Sequence, residues 1–206
     1  AFSIGAANGC RHCLAQTGQL VESACLREAM TAAFGGTDAE GAWDWKSAYD
    51  ACEVAQILFL RRFGPAILAR CASRSRSLDL IDRVSMLLPT HTRRSETSQA
   101  LQQYSTPAGL SFVAVVAASI GAGETVLEPS AGTGMLAIQA ELAGAQLVLN
   151  ELAEGRAALL SHLFSGVAVS GHDAASIDDR MPVSVRPSVI LMNPPFSAVA
   201  HVEWTM

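Results

Sequence analysis

The chain has 206 residues, of which 50% are hydrophobic and 16% are charged, and its formal net charge at pH 7 is −5. This composition is typical of a globular chain with a buried core and excludes a disordered one. No apolar run is long enough to span a bilayer, and the first residues lack the pattern of a secretory signal, so a soluble cytoplasmic protein is the default expectation.

The cysteines are five in number, which with their scattered spacing argues against a disulfide framework. Cys10 and Cys13 form a CxxC pair with His12 between them, which could suggest zinc. No second ligand pair follows to complete four ligands, so we predict a pair of thiols and no metal site. The cysteines are Cys10, Cys13, Cys25, Cys52 and Cys71.

Residues 1–98 are predicted to form a helical extension, because three segments repeat apolar residues at helical spacing. The first, "QLVESACLREAMTAAF", stops at Gly35-Gly36; the second, "DWKSAYDACEVAQILFLRRF", is expected to break at Gly64-Pro65; the third, "LDLIDRVSMLL", ends at Pro89. Several arginines cluster in this part, either as a basic patch on an acidic body or as a solvated helix face. They are Arg61, Arg62, Arg70, Arg74, Arg76, Arg93 and Arg94.

Residues 99–206 are predicted to form a partial α/β core. The segment "STPAGLSFVAVVAASIG" predicts a helix with Thr106 as N-cap and Pro107 at the first helical position, ending at Gly121. Four short strands follow, "TVLEP", "QLVLN", "VAVSG" and "SVILMN", and helical segments separate them. This alternation predicts a Rossmann-like parallel sheet with helices on both faces, which binds ligands beyond the carboxyl ends of its strands.

A glycine-rich loop, "LEPSAGTG", follows the first of these strands. Gly132 and Gly134 permit a tight turn that brings backbone close to a ligand. The loop lacks the Gly-Lys-Ser/Thr of a phosphate-binding loop. Ser130 stands where a dinucleotide-binding fingerprint has its first glycine, which argues against a nicotinamide or flavin cofactor.

Carboxylates follow the second and third strands. Glu151 lies about twenty residues after the glycine loop, where a carboxylate can bind both hydroxyls of a ribose. Asp173 follows the third strand and can accept a hydrogen bond from the amine of an adenine. Each also has a purely structural interpretation: Glu151 as an acidic residue near a helix start, and Asp173 as a turn residue.

The fourth strand leads into "NPPF", residues 193–196. Consecutive prolines restrict this loop, and Asn193 is its one polar side chain. An exocyclic amine is a poor nucleophile because its lone pair is delocalised into the ring. The Asn193 amide oxygen and a proline carbonyl could each accept one N–H and aim the lone pair at an electrophile, while Phe196 stacks on the base.

The order of "QQYSTP", "LEPSAGTG", "NEL", "HDA" and "NPPF" resembles that of amino-group DNA methyltransferases that use S-adenosyl-L-methionine. Nearly the whole chain, including "GAWDWKSAYDAC" and "LLPTHTRRSE", is similar to the N-terminal part of bacterial strawberry notch-like methylase/helicase proteins. The resemblance implies methyl transfer to N6 of adenine flipped out of DNA.

The resemblance also implies roles for individual residues. Those implied to be catalytic are Asn193, Pro194, Pro195 and Phe196. Those implied to bind the cofactor are Tyr104, Ser105, Thr106, Pro107, Glu128, Pro129, Ser130, Ala131, Gly132, Gly134, Glu151, Leu152, Asp173, Ala174 and Asn193.

The chain departs from that family in its strand count, because the family has seven strands and this sequence supplies four. We therefore expect a truncated domain with weak DNA binding, whose exposed fourth strand either favours a homo-oligomer or is covered by the N-terminal helices or by the C-terminal tail around Trp204. The resemblance to the methylase/helicase proteins implies a helicase region in the native polypeptide. Alternatives remain an inactive cofactor-binding or interaction module and an N-methyltransferase of RNA or of protein glutamine. Ser130 and the NPPF loop disfavour a dehydrogenase.

Overall fold

A computed structural model describes residue 5 and residues 7–9, 20–89 and 105–194 of the chain. The first half of the described chain is helical, as predicted: α1 is Ser23–Phe34, α2 is Trp45–Arg70 and α3 is Arg74–Met86. Helix α1 ends at Gly35, whose φ of 73° belongs to the left-handed region that glycine adopts without strain. Asp44 caps the start of helix α2, where its side chain accepts a hydrogen bond from the Ser47 N–H at 2.8 Å.

The predicted break at Gly64-Pro65 is wrong, because α2 continues through both residues to Arg70. Pro65 has no N–H to donate to the carbonyl four residues before it, and its ring lies on the exposed side of the helix. Tertiary contacts hold the helix here. A Cβ on Gly64 would lie 2.7 Å from Leu142 Cδ1, so glycine allows a close approach, and Arg61 forms a bidentate ion pair with Glu141.

The second half alternates helices and strands. Helix α4 (Ala108–Ala117) precedes β1 (Thr125–Glu128), α5 (Met135–Leu142) precedes β2 (Gln146–Asn150), and α6 (Glu154–Leu163) precedes β3 (Val169–Ser170). A 3₁₀ turn (Ala174–Ser176) and α7 (Ile177–Arg180) then lead to β4 (Val189–Ile190). All strand pairs are parallel and the sheet order is β3-β2-β1-β4, which confirms the predicted Rossmann-like α/β class.

The start of α4 differs from the prediction. The helix begins at Ala108, and Pro107 is the capping residue, whose carbonyl accepts the Ser111 N–H at 2.9 Å. Thr106 does not cap the helix; its hydroxyl oxygen accepts a hydrogen bond from Asn193 instead. The helix also ends at Ala117, short of the predicted Gly121. The Thr106 side chain therefore bonds to a residue 87 positions away in sequence and not to the backbone of its own helix.

The helical segment and the α/β part share one hydrophobic cluster. Ile57 and Leu60 of α2 and Ile81 of α3 pack with Ile138 of α5 and with Phe164, all at most 2% exposed. Burial of such side chains stabilises each by about 1.5–3 kcal/mol, so removing α2 would expose the face of the α/β part that carries α5. The predicted boundary at residues 98 and 99 lies outside the described residues and stays a prediction.

Strand β4 lies at one side of the sheet. Among the described residues it pairs with β1 alone, and Ile190 is 59% exposed. The Leu191 N–H continues the pairing by donating to the Leu127 carbonyl at 2.9 Å. The strand thus brings residue 193 to the carboxyl end of β1. No helix in the described part of the chain is long and apolar enough to cross a membrane.

Candidate functional site at the carboxyl ends of the strands

The glycine-rich loop turns sharply between β1 and α5. Gly132 and Gly134 have φ values of 58° and 98°, in the region that side chains other than glycine rarely adopt. A Cβ at position 134 would lie 2.6 Å from Phe164 Cε2 and 2.9 Å from Leu160 Cδ2. Glycine is therefore required at position 134 for two reasons, the backbone conformation and the close packing of the loop on α6.

Asn150, the last residue of β2, joins three strand ends and was not predicted as a site residue. Its side-chain amide donates to the carbonyls of Pro129 and His172, both at 2.8 Å. Its side-chain oxygen accepts from the Ser170 hydroxyl at 2.7 Å and from the His172 N–H at 2.9 Å. The residue is 1% exposed with all four hydrogen-bonding positions filled, so it fixes the loops after β1 and β3 relative to β2.

Glu151 lies against the glycine loop, next to the position predicted for a ribose. One carboxylate oxygen accepts the Gly132 N–H at 2.8 Å and the other accepts the Ala153 N–H at 2.9 Å. The side chain is therefore aligned by backbone donors and holds the loop closed. Each carboxylate oxygen keeps a further lone pair, so the ribose role remains a prediction. Leu152, also predicted to bind the cofactor, is 59% exposed.

Asp173 is exposed and begins the 3₁₀ turn that contains Ala174. Its side chain accepts a hydrogen bond from the Ala175 N–H at 3.0 Å, which is the turn role considered as the alternative. The carboxylate keeps further lone pairs for the predicted contact with an adenine, which stays a prediction.

A cavity of about 20 Å³ lies where several predicted site segments meet. It is bordered by the residues before α4, by the glycine loop and by Asn193. Arg156 of α6 also borders it. The lining residues are Ser105, Thr106, Glu128, Ser130, Ala131, Gly132, Thr133, Met135, Leu136, Arg156 and Asn193. The structure therefore brings together seven of the residues that the sequence predicted, from three separate segments of the chain.

The NPPF loop is only partly described. Asn193 is half-buried and its amide nitrogen donates to the Thr106 hydroxyl oxygen at 3.0 Å. Pro194 is exposed beside it. Three of the predicted residues, Tyr104, Pro195 and Phe196, lie outside the described residues.

Glu128, the last residue of β1, is buried at the cavity and only 2% exposed. One of its carboxylate oxygens has no hydrogen-bond partner among the described residues. Burial raises the pKa of this carboxyl well above its usual value; a hydrogen bond from the Ala137 N–H opposes the rise, and the charge of Glu151 adds to it. A buried carboxyl with an unpartnered oxygen is expected to bind a donor that the protein does not supply.

The helical segment contributes polar residues that the prediction missed. Asp50 and Glu53 of α2 are both 6% exposed, and Glu53 accepts a hydrogen bond from Thr133 Oγ1 at 2.7 Å. Asp50 accepts one from Arg156 Nη2 at 2.9 Å. The sequence contained a signal for them, since "DACEVA" places two carboxylates three positions apart among apolar residues of a predicted helix.

No cluster of metal-ligating side chains is present within the described ranges, and the CxxC pair with its histidine falls outside them. Arg156, which borders the cavity, is instead surrounded by carboxylates, of which Asp50 and Glu53 lie behind the cavity wall. Burial would lower the pKa of Arg156, but Asp50 and Glu53 more than offset that effect and raise it, so the guanidinium stays protonated.

No family model matches the chain, and no curated protein matches it significantly in sequence. Among solved structures, the chain is similar to a candidate RNA methyltransferase from Pyrococcus horikoshii, with 21% identity and a TM-score of 0.43. The similar region covers 61% of this chain and 60% of that protein, so the chain spans less than two thirds of its length. The assignment of the site therefore rests on the contacts of the chain's own residues within a Rossmann-like parallel sheet.

Proposed function

We propose that the chain binds S-adenosyl-L-methionine at the carboxyl ends of β1, β2 and β3 and forms part of an amino-group methyltransferase. The observation that carries the proposal is the meeting of Glu128, the glycine loop and Asn193 at one cavity. Ser130 in place of the first glycine of a dinucleotide-binding fingerprint argues against a nicotinamide, and the missing Gly-Lys-Ser/Thr argues against a nucleoside triphosphate. When bound, the cofactor supplies an electrophilic methyl group.

The cavity residues fit the amino-acid end of this cofactor. A volume of about 20 Å³ holds roughly one water-sized group, and an ammonium is of that size. The unpartnered, buried oxygen of Glu128 can accept a hydrogen bond from such an ammonium, and the positive charge would favour the ionised carboxylate. The rest of the molecule would lie along the open strand ends, with Glu151 at the ribose and Asp173 at the adenine.

Asn193 carries the proposed chemistry on the acceptor side. Its amide nitrogen is engaged by Thr106, so the amide oxygen faces the remaining partners as an acceptor. An acceptor amine that donates one N–H to this oxygen and another to the Pro194 carbonyl would have its lone pair aimed away from both bonds. Pro195 and Phe196, which lie outside the described residues, would complete this loop, with Phe196 stacking on the acceptor ring.

Adenine N6 in DNA is the acceptor that we propose, and RNA and protein glutamine are the alternatives. A groove between α2 and α3 combines basic and aromatic side chains, which is typical of weak nucleic-acid contact on an otherwise acidic chain. Its basic and aromatic lining residues are Phe59, Phe63, Arg70, Arg76 and Arg83. At a net charge of −5 we expect this contact to be weak at physiological salt, and a helicase region of a longer polypeptide would supply the affinity.

Calorimetric titration with S-adenosyl-L-methionine tests the cofactor assignment. Wild type should bind, and Asp173→Ala should bind about tenfold more weakly, the effect of one lost hydrogen bond. Asp173→Ser keeps a cap for the 3₁₀ turn but is too short to reach an adenine, so it should retain the melting temperature and lose the affinity. Absence of any binding heat at millimolar cofactor would reject the proposal.

Transfer of a labelled methyl group distinguishes the acceptors. Duplex DNA, single-stranded RNA and a glutamine-containing peptide would be compared with the same protein sample. Label in DNA at adenine N6, removed by Asn193→Ala, is the expected result. Label in RNA alone or in the peptide alone would show that this molecule, and not DNA, is the acceptor. Cofactor binding without transfer to any of them would favour the second candidate, an inactive cofactor-binding module. The observation that favours this candidate is the exposure of β4, the strand that Asn193 follows.

A further inference from the structure

Glu53 links two residues that line the cavity, Ser105 before α4 and Thr133 in the glycine loop. It lies in α2, in the helical segment, and does not itself line the cavity. One carboxylate oxygen accepts the Thr133 hydroxyl of the glycine loop at 2.7 Å, and the other accepts the Ser105 hydroxyl. Because Ser105 and Thr133 are both lining residues, their separation is set through this one carboxylate.

Other charged groups lie close to the buried Glu53. Arg156 donates to Asp50 Oδ1 at 2.9 Å, and its charge also acts on Glu53. Lys46 pairs with the other oxygen of Asp50 at 3.1 Å. Nε of Arg156 has no hydrogen-bond partner among the described residues, although the side chain borders the cavity. Buried charges of this kind are costly, and apolar residues of similar volume often stabilise a core as well or better.

We propose that Glu53 is a positioning residue of the cofactor site. The helical segment that carries Glu53 therefore contributes to cofactor binding. Glu53 holds Thr133 and Ser105 apart by the width that admits the amino-acid end of the cofactor. This inference rests on the proposed cofactor. It assigns no contact between Glu53 and the ligand; the effect passes through the two hydroxyls.

The structure offers a matched control on the same helix. Gln56 lies one turn after Glu53, is equally buried at 6% exposure, and bonds to Ser85 of α3 rather than to the site. Gln56→Ala therefore removes a buried polar side chain from α2 without touching the cavity. Glu53→Ala removes the link, whereas Glu53→Gln keeps a side chain that can bond to both hydroxyls.

The experiment compares two ligands that differ in the amino-acid end. S-adenosylhomocysteine carries it, and 5′-methylthioadenosine lacks it; both are neutral at sulfur. Glu53→Ala should weaken S-adenosylhomocysteine binding about tenfold and 5′-methylthioadenosine binding less than about threefold. Gln56→Ala should change neither, and Glu53→Gln should restore affinity to within about threefold of wild type. Melting temperatures are recorded for every variant.

Thr133→Val tests the same link from the other side and does not depend on how well Glu53→Ala folds. It should show the same selective loss, and the double variant should bind no more weakly than the weaker single variant. Equal weakening of both ligands, or additive losses, would overturn the positioning role while leaving the cofactor assignment in place. If wild type binds neither ligand, the proposed function fails and this inference fails with it.

Discussion

The side-chain amide nitrogen of Asn193 donates a hydrogen bond to Thr106 Oγ1 at 3.0 Å, joining the end of β4 to the residues before α4. Because the amide nitrogen faces Thr106, the amide oxygen lies on the other side of the group, where it can accept a hydrogen bond from a ligand. Asn193 itself borders the cavity. Thr106 and Asn193 thus lie together in the proposed site.

Replacing Thr106 should reveal this dependence. Thr106→Val removes the hydroxyl at nearly constant volume, so the Asn193 amide loses the contact that fixes its orientation. We expect methyl transfer to fall about tenfold, as for one lost hydrogen bond at a reacting group. Thr106→Ser keeps the hydroxyl and should stay near wild type. Equal rates for Thr106→Val and Thr106→Ser would contradict the orienting role.

Replacing each of two glycines of the α/β part by alanine should change the free energy of unfolding in opposite directions. Gly134→Ala places a Cβ 2.6 Å from Phe164 Cε2 at a φ of 98°, so we expect a loss of about 2–4 kcal/mol in the free energy of unfolding. Gly155 lies in α6 with nothing within 4 Å of a Cβ, and Gly155→Ala should add about 0.5–1 kcal/mol. Urea denaturation measures both. A neutral Gly134→Ala would mean that the loop rearranges freely.

The raised pKa of Glu128 makes stability depend on pH in a defined direction. Burial raises this pKa in the folded chain, so the folded state holds its proton to higher pH than the unfolded state does. The unfolded state therefore binds fewer protons, and stability falls as pH rises from the ordinary glutamate pKa through the raised one. Each unit of rise corresponds to about 1.4 kcal/mol. The pKa of Glu53 is also raised, mainly by burial, and contributes with the same sign.

Glu128→Gln removes the larger part of this dependence. The variant should be more stable than wild type above the raised pKa, and its stability should change less with pH across the same window. Denaturation curves at several pH values between the ordinary glutamate pKa and alkaline pH provide the test. Cofactor affinity should fall in the same variant, because an amide is a weaker partner for an ammonium. A wild-type stability that rises steadily through this window would show that Glu128 ionises normally in the folded chain.

The exposed side of β4 predicts self-association. Ile190 is 59% exposed on a strand that pairs with β1 alone among the described residues, and such a strand is a template for pairing with another chain. We expect concentration-dependent dimers by sedimentation velocity, and Ile190→Lys should shift them to monomer. Val183 is the control: it is 81% exposed but lies outside the strands, so Val183→Lys should leave association unchanged. A wild type that stays monomeric at high concentration would contradict the prediction.

The sequence by itself determined the elements whose signals are local. Strands β1 and β2 follow from short apolar runs between turn residues, and both lie where the sequence predicted them. The left-handed turns at Gly132 and Gly134 follow from the same local chemistry, because few other residues adopt those φ values. The parallel sheet follows in turn from the alternation of these strands with helices.

Only the tertiary structure decided the features that depend on distant partners. Helix α2 continues through Pro65 because the adjacent Gly64 packs on Leu142 of α5. The sequence around the proline does not predict this contact. Thr106 binds Asn193 rather than capping its own helix for the same reason. Glu53 reaches Thr133 across 80 positions, and Asp50 reaches Arg156 across 106. Periodicity predicts which face of a helix is buried, but the partner of each buried polar group is decided by how the elements pack together.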